Sequence, residues 1–104
     1  METRFMIGSQ ARVDELTKLL HEELLPRFGM CLGNRGAARY ELKNLDFAEY
    51  ALMQGEQEVG RYEFELKARV YHCRLENAKL PQDTYAGLVV QVQQHFPEVK
   101  ELVE

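Results

Sequence analysis

The alternation of apolar and charged residues between Arg61 and Val70 constrains the fold of this chain more than any other feature. Apolar residues occupy every second position and charged residues lie between them: Tyr62, Phe64, Leu66, Ala68 and Val70 alternate with Glu63, Glu65, Lys67 and Arg69. Successive side chains of a β-strand point to opposite faces, so the pattern predicts a long strand with one buried and one charged face. A sheet with one solvated face is usually antiparallel.

The alternation changes phase at Tyr71. From this residue onward, Tyr71, Cys73 and Leu75 place apolar side chains on the face that was charged before it. Two interpretations are open. Either a β-bulge exchanges the two faces at this point, or another element covers the formerly charged side.

The N-terminal part of the chain predicts a strand followed by a helix. Arg4–Ile7 indicates a short strand, and Ser9 is a favoured residue type for the cap of the helix after it. Apolar residues then recur at intervals of three and four, the spacing of an amphipathic helix: Val13, Leu16, Leu19, Leu20 and Leu24. We expect this helix to end near Leu25, because the residue before Pro26 is disfavoured in helical geometry.

Between residues 29 and 60 the sequence indicates loops and extended segments. Gly29–Gly36 holds three glycines and an asparagine and is predicted to be a loop. Arg39–Leu42 and Phe47–Met53 are predicted to be extended, with a bulge or tight turn over Lys43–Asp46. Gln54–Gly60 is polar and bounded by glycines, which predicts a hairpin connection.

A second helix is predicted to begin at Pro81, since proline is favoured at the first helical position. Its apolar residues recur at helical spacing: Tyr85, Leu88, Val89, Val92 and Phe96. The β-branched valines of this segment also fit a strand, but its length and its flanking prolines favour a helix. The tail, residues 97–104, fits either one more helical turn or an edge strand.

The order of these elements predicts a single α+β domain over residues 1–104. A chain of 104 residues fits one domain. We expect a three- to four-stranded antiparallel sheet with the helices packed on one face, and the ferredoxin-like order βαββα(β) is the leading topology. This layering leaves the charged face of the sheet open.

Charge and apolar runs limit the classes of partner and compartment. A net charge of −4 argues against nonspecific binding to nucleic acid or to a membrane surface, where a basic balance is expected. No apolar run approaches the ~18 residues of a membrane helix, and no signal peptide is recognisable, so a soluble, cytoplasmic protein is predicted. Cys31 and Cys73 are too few for a disulfide scaffold and are expected to be reduced, with a bridge between them as the open alternative.

The residue types of common catalytic chemistry form no recognisable set. Ser9 is the only serine, and helix capping explains it. His72 and Cys73 are neighbours on a predicted strand and point to opposite faces, so they cannot act as a pair. Zinc motifs bring their ligands in close pairs that this sequence lacks. We therefore expect no metal and no cofactor.

A noncatalytic protein-interaction module is the function that the sequence favours. Patterned charge on a sheet face steers a protein partner, and an unprotected sheet edge favours self-association into a homodimer. The expected contact residues lie on the charged face or in the basic segment before it: Glu63, Glu65, Lys67, Arg69, Arg35 and Arg39. No nucleic acid and no membrane are expected as partners.

A small-ligand-binding or enzymatic domain is the alternative. An aromatic residue, a histidine and a thiol cluster where the alternation changes phase. They predict a pocket between sheet and helices that is lined by Tyr71, His72, Tyr85 and Cys31.

Overall fold

The computed structural model describes residues 2–34, 47–97 and 102–103, and these residues form an antiparallel sheet with helices on one face. The strands are β1 (Glu2–Ile7), β2 (Cys31–Asn34), β3 (Phe47–Gln54), β4 (Gln57–Lys67), β5 (Val70–Asn77) and β6 (Leu102–Val103). The helical elements are α1 (Gln10–Leu19), a π-helical segment (Leu20–Leu24), α2 (Leu25–Arg27) and α3 (Gln82–His95).

The sheet has six strands in the order β2-β3-β4-β5-β1-β6, and all neighbouring strands are antiparallel. The predicted α+β class with an antiparallel sheet is confirmed. The predicted count of three to four strands is wrong, and so is the simple ferredoxin-like order. Two strands, β2 and β3, lie between the first helix and β4, and the chain reverses once more after β4.

A tight turn at Ala68 and Arg69 divides the predicted long strand in two. Both residues have positive φ angles, 51° and 67°. They alone join β4 to β5, whose adjacent ends pair Lys67 with Val70. Positive φ at both central residues is the geometry of a two-residue hairpin turn. The reversal accounts for the phase change at Tyr71, so neither a bulge nor a covering element is its cause.

The first helix runs without interruption through α1, the π-helical segment and α2. Ser9 Oγ accepts a hydrogen bond from the backbone N–H of Arg12 at 3.2 Å, which confirms the predicted cap. In the π-helical segment the turn is wider than in an α-helix. There the N–H of Leu25 bonds to the carbonyl of Leu20, five residues earlier.

The helix continues through Pro26, so the prediction that it ends near Leu25 is short by two residues. The wide turn ahead of the proline gives its ring room against the preceding carbonyls. The end is a Schellman motif, in which Met30 N–H bonds to Leu25 O at 2.9 Å and Gly29 N–H bonds to Pro26 O at 3.1 Å. Gly29 has the left-handed φ of 73° that this motif requires.

The segment Gly29–Gly36, predicted as a loop, contains the edge strand β2. Four residues of β2 pair with β3. The prediction that Phe47–Met53 is extended is confirmed by β3. The predictions for Arg39–Leu42 and Lys43–Asp46 lie outside the described residues.

The predicted hairpin between residues 54 and 60 is present but tighter than expected. Gly55 and Glu56 alone connect β3 to β4, since Gln54 already pairs with Gln57. The register then shifts by one residue, because Leu52 pairs with Gly60 while the next residue pairs with Glu58. This bulge brings Gly60 against β5, where an added Cβ atom would lie 2.5 Å from a backbone oxygen.

The predicted second helix is confirmed as α3, but Pro81 is its N-cap and not its first helical residue. Asn77 fixes the connection before it, since its side-chain amide exchanges hydrogen bonds with the backbone N–H and carbonyl of Leu80 at 2.9 and 3.1 Å. In the tail, β6 pairs with Thr3 and Arg4 of β1, so the strand alternative is the one that forms.

The core lies between the sheet and the helices. It combines the stripes of both helices with every second residue of the strands: Phe5, Ile7, Val13, Leu16, Leu20, Leu24, Tyr50, Leu52, Tyr62, Phe64, Tyr71, Cys73, Leu75, Tyr85, Leu88, Val92 and Phe96. Two phenolic hydroxyls in this core, those of Tyr62 and Tyr85, are hydrogen-bonded, as most buried polar groups are. Tyr62 bonds to Thr17 of α1 at 2.8 Å. Tyr85 of α3 bonds to Thr3 of β1 at 2.7 Å and to the carbonyl of Leu75 of β5 at 2.9 Å.

No helix in the part of the chain that the structure describes is long and apolar enough to cross a membrane. Both cysteines are free thiols, so the bridge that the sequence left open does not form. Cys31 is exposed on β2, whereas Cys73 is buried on β5.

Candidate functional site

The face of the sheet opposite the helices, called the open face below, carries the charged side chains of β1, β3, β4 and β5. Alternation along each strand puts every second residue on this face. The strand register then aligns these residues in three rows that run across the sheet. Each row takes one residue from each strand in the spatial order β3, β4, β5, β1.

The first row consists of Phe47, Glu65, His72 and Met6. Its two ends are apolar and exposed, Phe47 by 48% and Met6 by 56%. Among the described residues only one other large apolar side chain, on α3, is similarly exposed. The two side chains lie three strand spacings apart, about 14 Å, so they are separate apolar points and not one contiguous patch.

The second row consists of Glu49, Glu63, Arg74 and Arg4. Its β3–β4 half is acidic and its β5–β1 half is basic. Arg74 forms an ion pair with Glu63 inside the row. Both side chains are mostly covered, with 26% and 20% of their surface exposed.

The third row consists of Ala51, Arg61, Glu76 and Glu2. Its charges have the opposite order, with the cation on β4 and the two acids on β5 and β1. Arg61 makes no ion pair with a described residue, and its Nε atom is buried without a hydrogen-bond partner.

Glu2 connects the second and third rows. It accepts hydrogen bonds from Arg4 Nε at 2.9 Å and from Arg74 Nη1 at 3.2 Å. The hydrogen bond from Arg4 and the charges of both arginines hold the pKa of the Glu2 carboxyl below its usual value. Arg4, Glu2, Arg74 and Glu63 therefore form one connected network on the open face.

A shallow concavity of about 330 Å³ lies between β4, β5 and β1 on the open face. Its lining combines the β4, β5 and β1 members of the first two rows with the neighbouring lysine: Arg4, Met6, Glu63, Glu65, Lys67, His72 and Arg74, with Phe5 and Cys73 beneath them. The concavity is open to the surrounding solvent along the sheet.

Comparison with known proteins finds no match. No protein-family model, no curated protein and no solved structure is similar to this chain. What the site does must therefore be inferred from its own geometry.

The structure places the predicted interaction residues unevenly. Glu63, Glu65 and Lys67 lie on the open face of β4, as the alternation indicated, and Lys67 Nζ lies 3.6 Å from a carboxylate oxygen of Glu65. Arg69 is exposed but belongs to the turn after β4. The two remaining candidates, Arg35 and Arg39, lie outside the described residues.

The residues of the alternative pocket do not come together. Tyr71 and Tyr85 are buried on the helix side of the sheet, whereas His72 is exposed on the open face. Cys31 lies on the edge strand β2, three strands away from β5. The predicted pocket between sheet and helices is therefore not formed by these four residues.

The thiol on β5 is chemically passive. Burial raises the pKa of Cys73 to about 12, so the sulfur is a neutral thiol at physiological pH. A thiol is a far weaker nucleophile than a thiolate. Within the described residues, no group of three or more His, Cys, Asp or Glu side chains is placed to hold a metal ion.

Several residues of the open face escaped the sequence prediction. Arg4 and Met6 alternate with buried Phe5 and Ile7, a signal that was visible in β1 but short. Arg74 belongs to a strand whose phase was misjudged because the turn before it was missed. Phe47 joins these residues only through the register of three strands, which no local pattern reveals.

Proposed function

We propose that this protein is a noncatalytic interaction module that binds another protein surface with its open face. One observation carries the proposal: the second row separates acid from base, with carboxylates on β3 and β4 and guanidinium groups on β5 and β1. Exposed apolar side chains at both ends of the first row add area that a partner can cover. Opposed charge patterns of this kind give a protein contact its orientation and specificity.

The complementary partner is a protein surface whose charges have the reverse order. It offers cations above Glu49 and Glu63, and carboxylates above Arg74 and Arg4. A surface whose charges do not have this complementary order places like charges against each other. This repulsion excludes wrong partners more strongly than correct pairing favours the right one. The contact is expected to weaken with salt, because charges at a solvated surface are screened.

The concavity at His72 supports a protein partner better than a small ligand. Its volume of about 330 Å³ lies at the lower limit of small-molecule pockets, which are enclosed and mostly apolar. Here the lining is largely charged and the site is open. We include a cytoplasmic location in the proposal, since two free thiols suit a reducing compartment.

A matched pair of charge variants tests the proposal by affinity capture from the native cell. The double substitution Arg4→Glu with Lys67→Glu reverses two exposed cations of the open face, the first of them in the second row. The control, Lys18→Glu with Lys79→Glu, makes the same change in net charge at exposed positions away from this face. We expect the first variant to lose bound protein, copies of this chain included, and the control to retain it. Equal capture by both variants would show that the face is only solvated surface.

A further inference from the structure

We infer that the partner of the open face is a second copy of this chain, bound face to face about a two-fold axis that runs along the strands between β4 and β5. This inference rests on the proposed function and names the occupant of the same face. Rotation about this axis places β3 and β4 of one copy above β1 and β5 of the other. Each row then meets the same row of the partner in reverse order, as an isologous contact requires.

The three rows are self-complementary under this rotation. In the first row, Phe47 meets Met6 of the other copy, and Glu65 meets His72 of the other copy. Phe47 of each copy therefore covers Met6 of the other, so this apolar contact forms twice, once on each side of the axis.

The second and third rows pair opposite charges under the same rotation. Glu63 meets the other copy's Arg74, and Glu49 meets its Arg4. In the third row Arg61, which has no ion-pair partner among the described residues, meets the other copy's Glu76. No facing pair in the three rows combines two charges of like sign. The β4–β5 pairs already lie opposite each other within one sheet, where opposite charges are favoured. Glu49 with Arg4, and Phe47 with Met6, become neighbours only across the axis, and these two pairs carry the inference.

The size of the patch indicates a weak and reversible dimer. Four strands at ~4.8 Å spacing and six residue steps at ~3.3 Å give a footprint of roughly 19 by 20 Å on each copy. Two such footprints total on the order of 800 Å², which lies below the range of stable complexes and within that of transient ones. Partly solvated ion pairs also direct association more than they strengthen it.

A charge-exchange experiment tests the pairing in the third row. Arg61→Glu and Glu76→Lys are prepared as separate variants, and sedimentation velocity at low salt measures association up to about 1 mM protein. Each variant sets like charges against each other in its own dimer, so we expect dimerisation at least tenfold weaker than in the wild type. The equimolar mixture restores opposite charges across the axis and is expected to form the heterodimer. The chain with both substitutions is expected to dimerise like the wild type.

A cross-linking trap tests the first row independently of charge and remains valid if a charge variant fails to fold. Phe47→Cys and Met6→Cys are combined in a Cys31→Ser background and treated with a bifunctional thiol reagent about 8 Å long, because facing sheets pack ~10 Å apart and a direct disulfide cannot span them. Within one chain β3 and β1 are three strand spacings apart, about 14 Å, which is too far for this reagent. The reagent is therefore expected to yield a covalent dimer from the double-cysteine chain and much less from either single-cysteine control.

A wild-type chain that stays monomeric at about 1 mM, or variants that dimerise as well alone as when mixed, would overturn the inference. Failure of the double-cysteine chain to give more covalent dimer than its controls has the same consequence. If the chain does not dimerise but the variant Arg4→Glu with Lys67→Glu captures less of another protein than its control does, the inference fails and the proposed function stands. If neither experiment detects face-dependent binding, both fail.

Discussion

Removal of one hydroxyl group by Tyr85→Phe is expected to destabilise the fold far more than a surface change. This hydroxyl donates to the carbonyl of Leu75 at 2.9 Å, so the Thr3 hydroxyl donates to the phenolic oxygen at 2.7 Å. Thr3 is 1% exposed. Loss of the hydrogen bond to Leu75 costs about 1 kcal/mol, and a buried Thr3 hydroxyl without a partner costs ~1–3 kcal/mol more. The sum is roughly 3 kcal/mol.

A double-mutant cycle separates these two contributions. Thr3→Val alone leaves the hydrogen bond from Tyr85 to Leu75 in place and is expected to cost about 1 kcal/mol. When it is combined with Tyr85→Phe, no orphaned hydroxyl remains, so the double variant is expected to lose ~1–2 kcal/mol less than the sum of the single variants. Chemical denaturation measures these energies, and the fall in Tm for Tyr85→Phe should be roughly 10–20 °C in a domain of this size. A cost under about 0.5 kcal/mol, with additive effects, would refute the reasoning.

Three further results are expected from the thiols, the bulge and the turn. In the native protein a thiol reagent should label Cys31 rapidly and Cys73 only after unfolding, and rapid labelling of both would contradict the burial of the second. Because burial raises the pKa of Cys73 to about 12, its neutral thiol makes its full contribution to the free energy of unfolding below pH 9. This contribution should decline by about 1.4 kcal/mol per pH unit between pH 9 and 12. Cys73→Ala should therefore reduce the slope of the free energy of unfolding against pH in that range. Gly60→Ala should lower Tm, since its Cβ would lie 2.5 Å from a backbone oxygen of β5, and an unchanged Tm would show that the strands can separate there. Ala68→Asn with Arg69→Gly should raise the free energy of unfolding by about 1 kcal/mol, because these residue types adopt positive φ more readily, and no gain would mean that the turn is unstrained.

Local patterns predicted those parts of the fold that depend on local physics. Ser9 caps its helix as expected, and the apolar stripes of α1 and α3 both face the sheet. The hairpin at Ala68 and Arg69 was missed, because neither residue is the asparagine or glycine that normally marks a two-residue turn. The strand β2 was missed because its glycine and asparagine weaken the strand signal, and pairing with β3 compensates for them.

The candidate site was predictable on β4 and less so elsewhere. Alternation placed Glu63, Glu65 and Lys67 on one face without knowledge of any other strand. The positions of Arg74 and Phe47 beside them depend on strand register, which is set by turns and long-range pairing. A sequence read one segment at a time does not contain that information.

The π-helical segment gives the first helix one position at which its length can change. A regular helix advances by about 100° per residue, so a deletion within α1 would rotate the preceding apolar stripe away from the sheet. The wide turn over Leu20–Leu24 already holds one residue more than an α-turn. Loss of one residue there would therefore leave the apolar residues before and after it on the same side of the helix, facing the sheet. Pro26 resists that shortening, since its ring needs the wide turn. Shortened homologues of this helix are therefore expected to lack the proline as well.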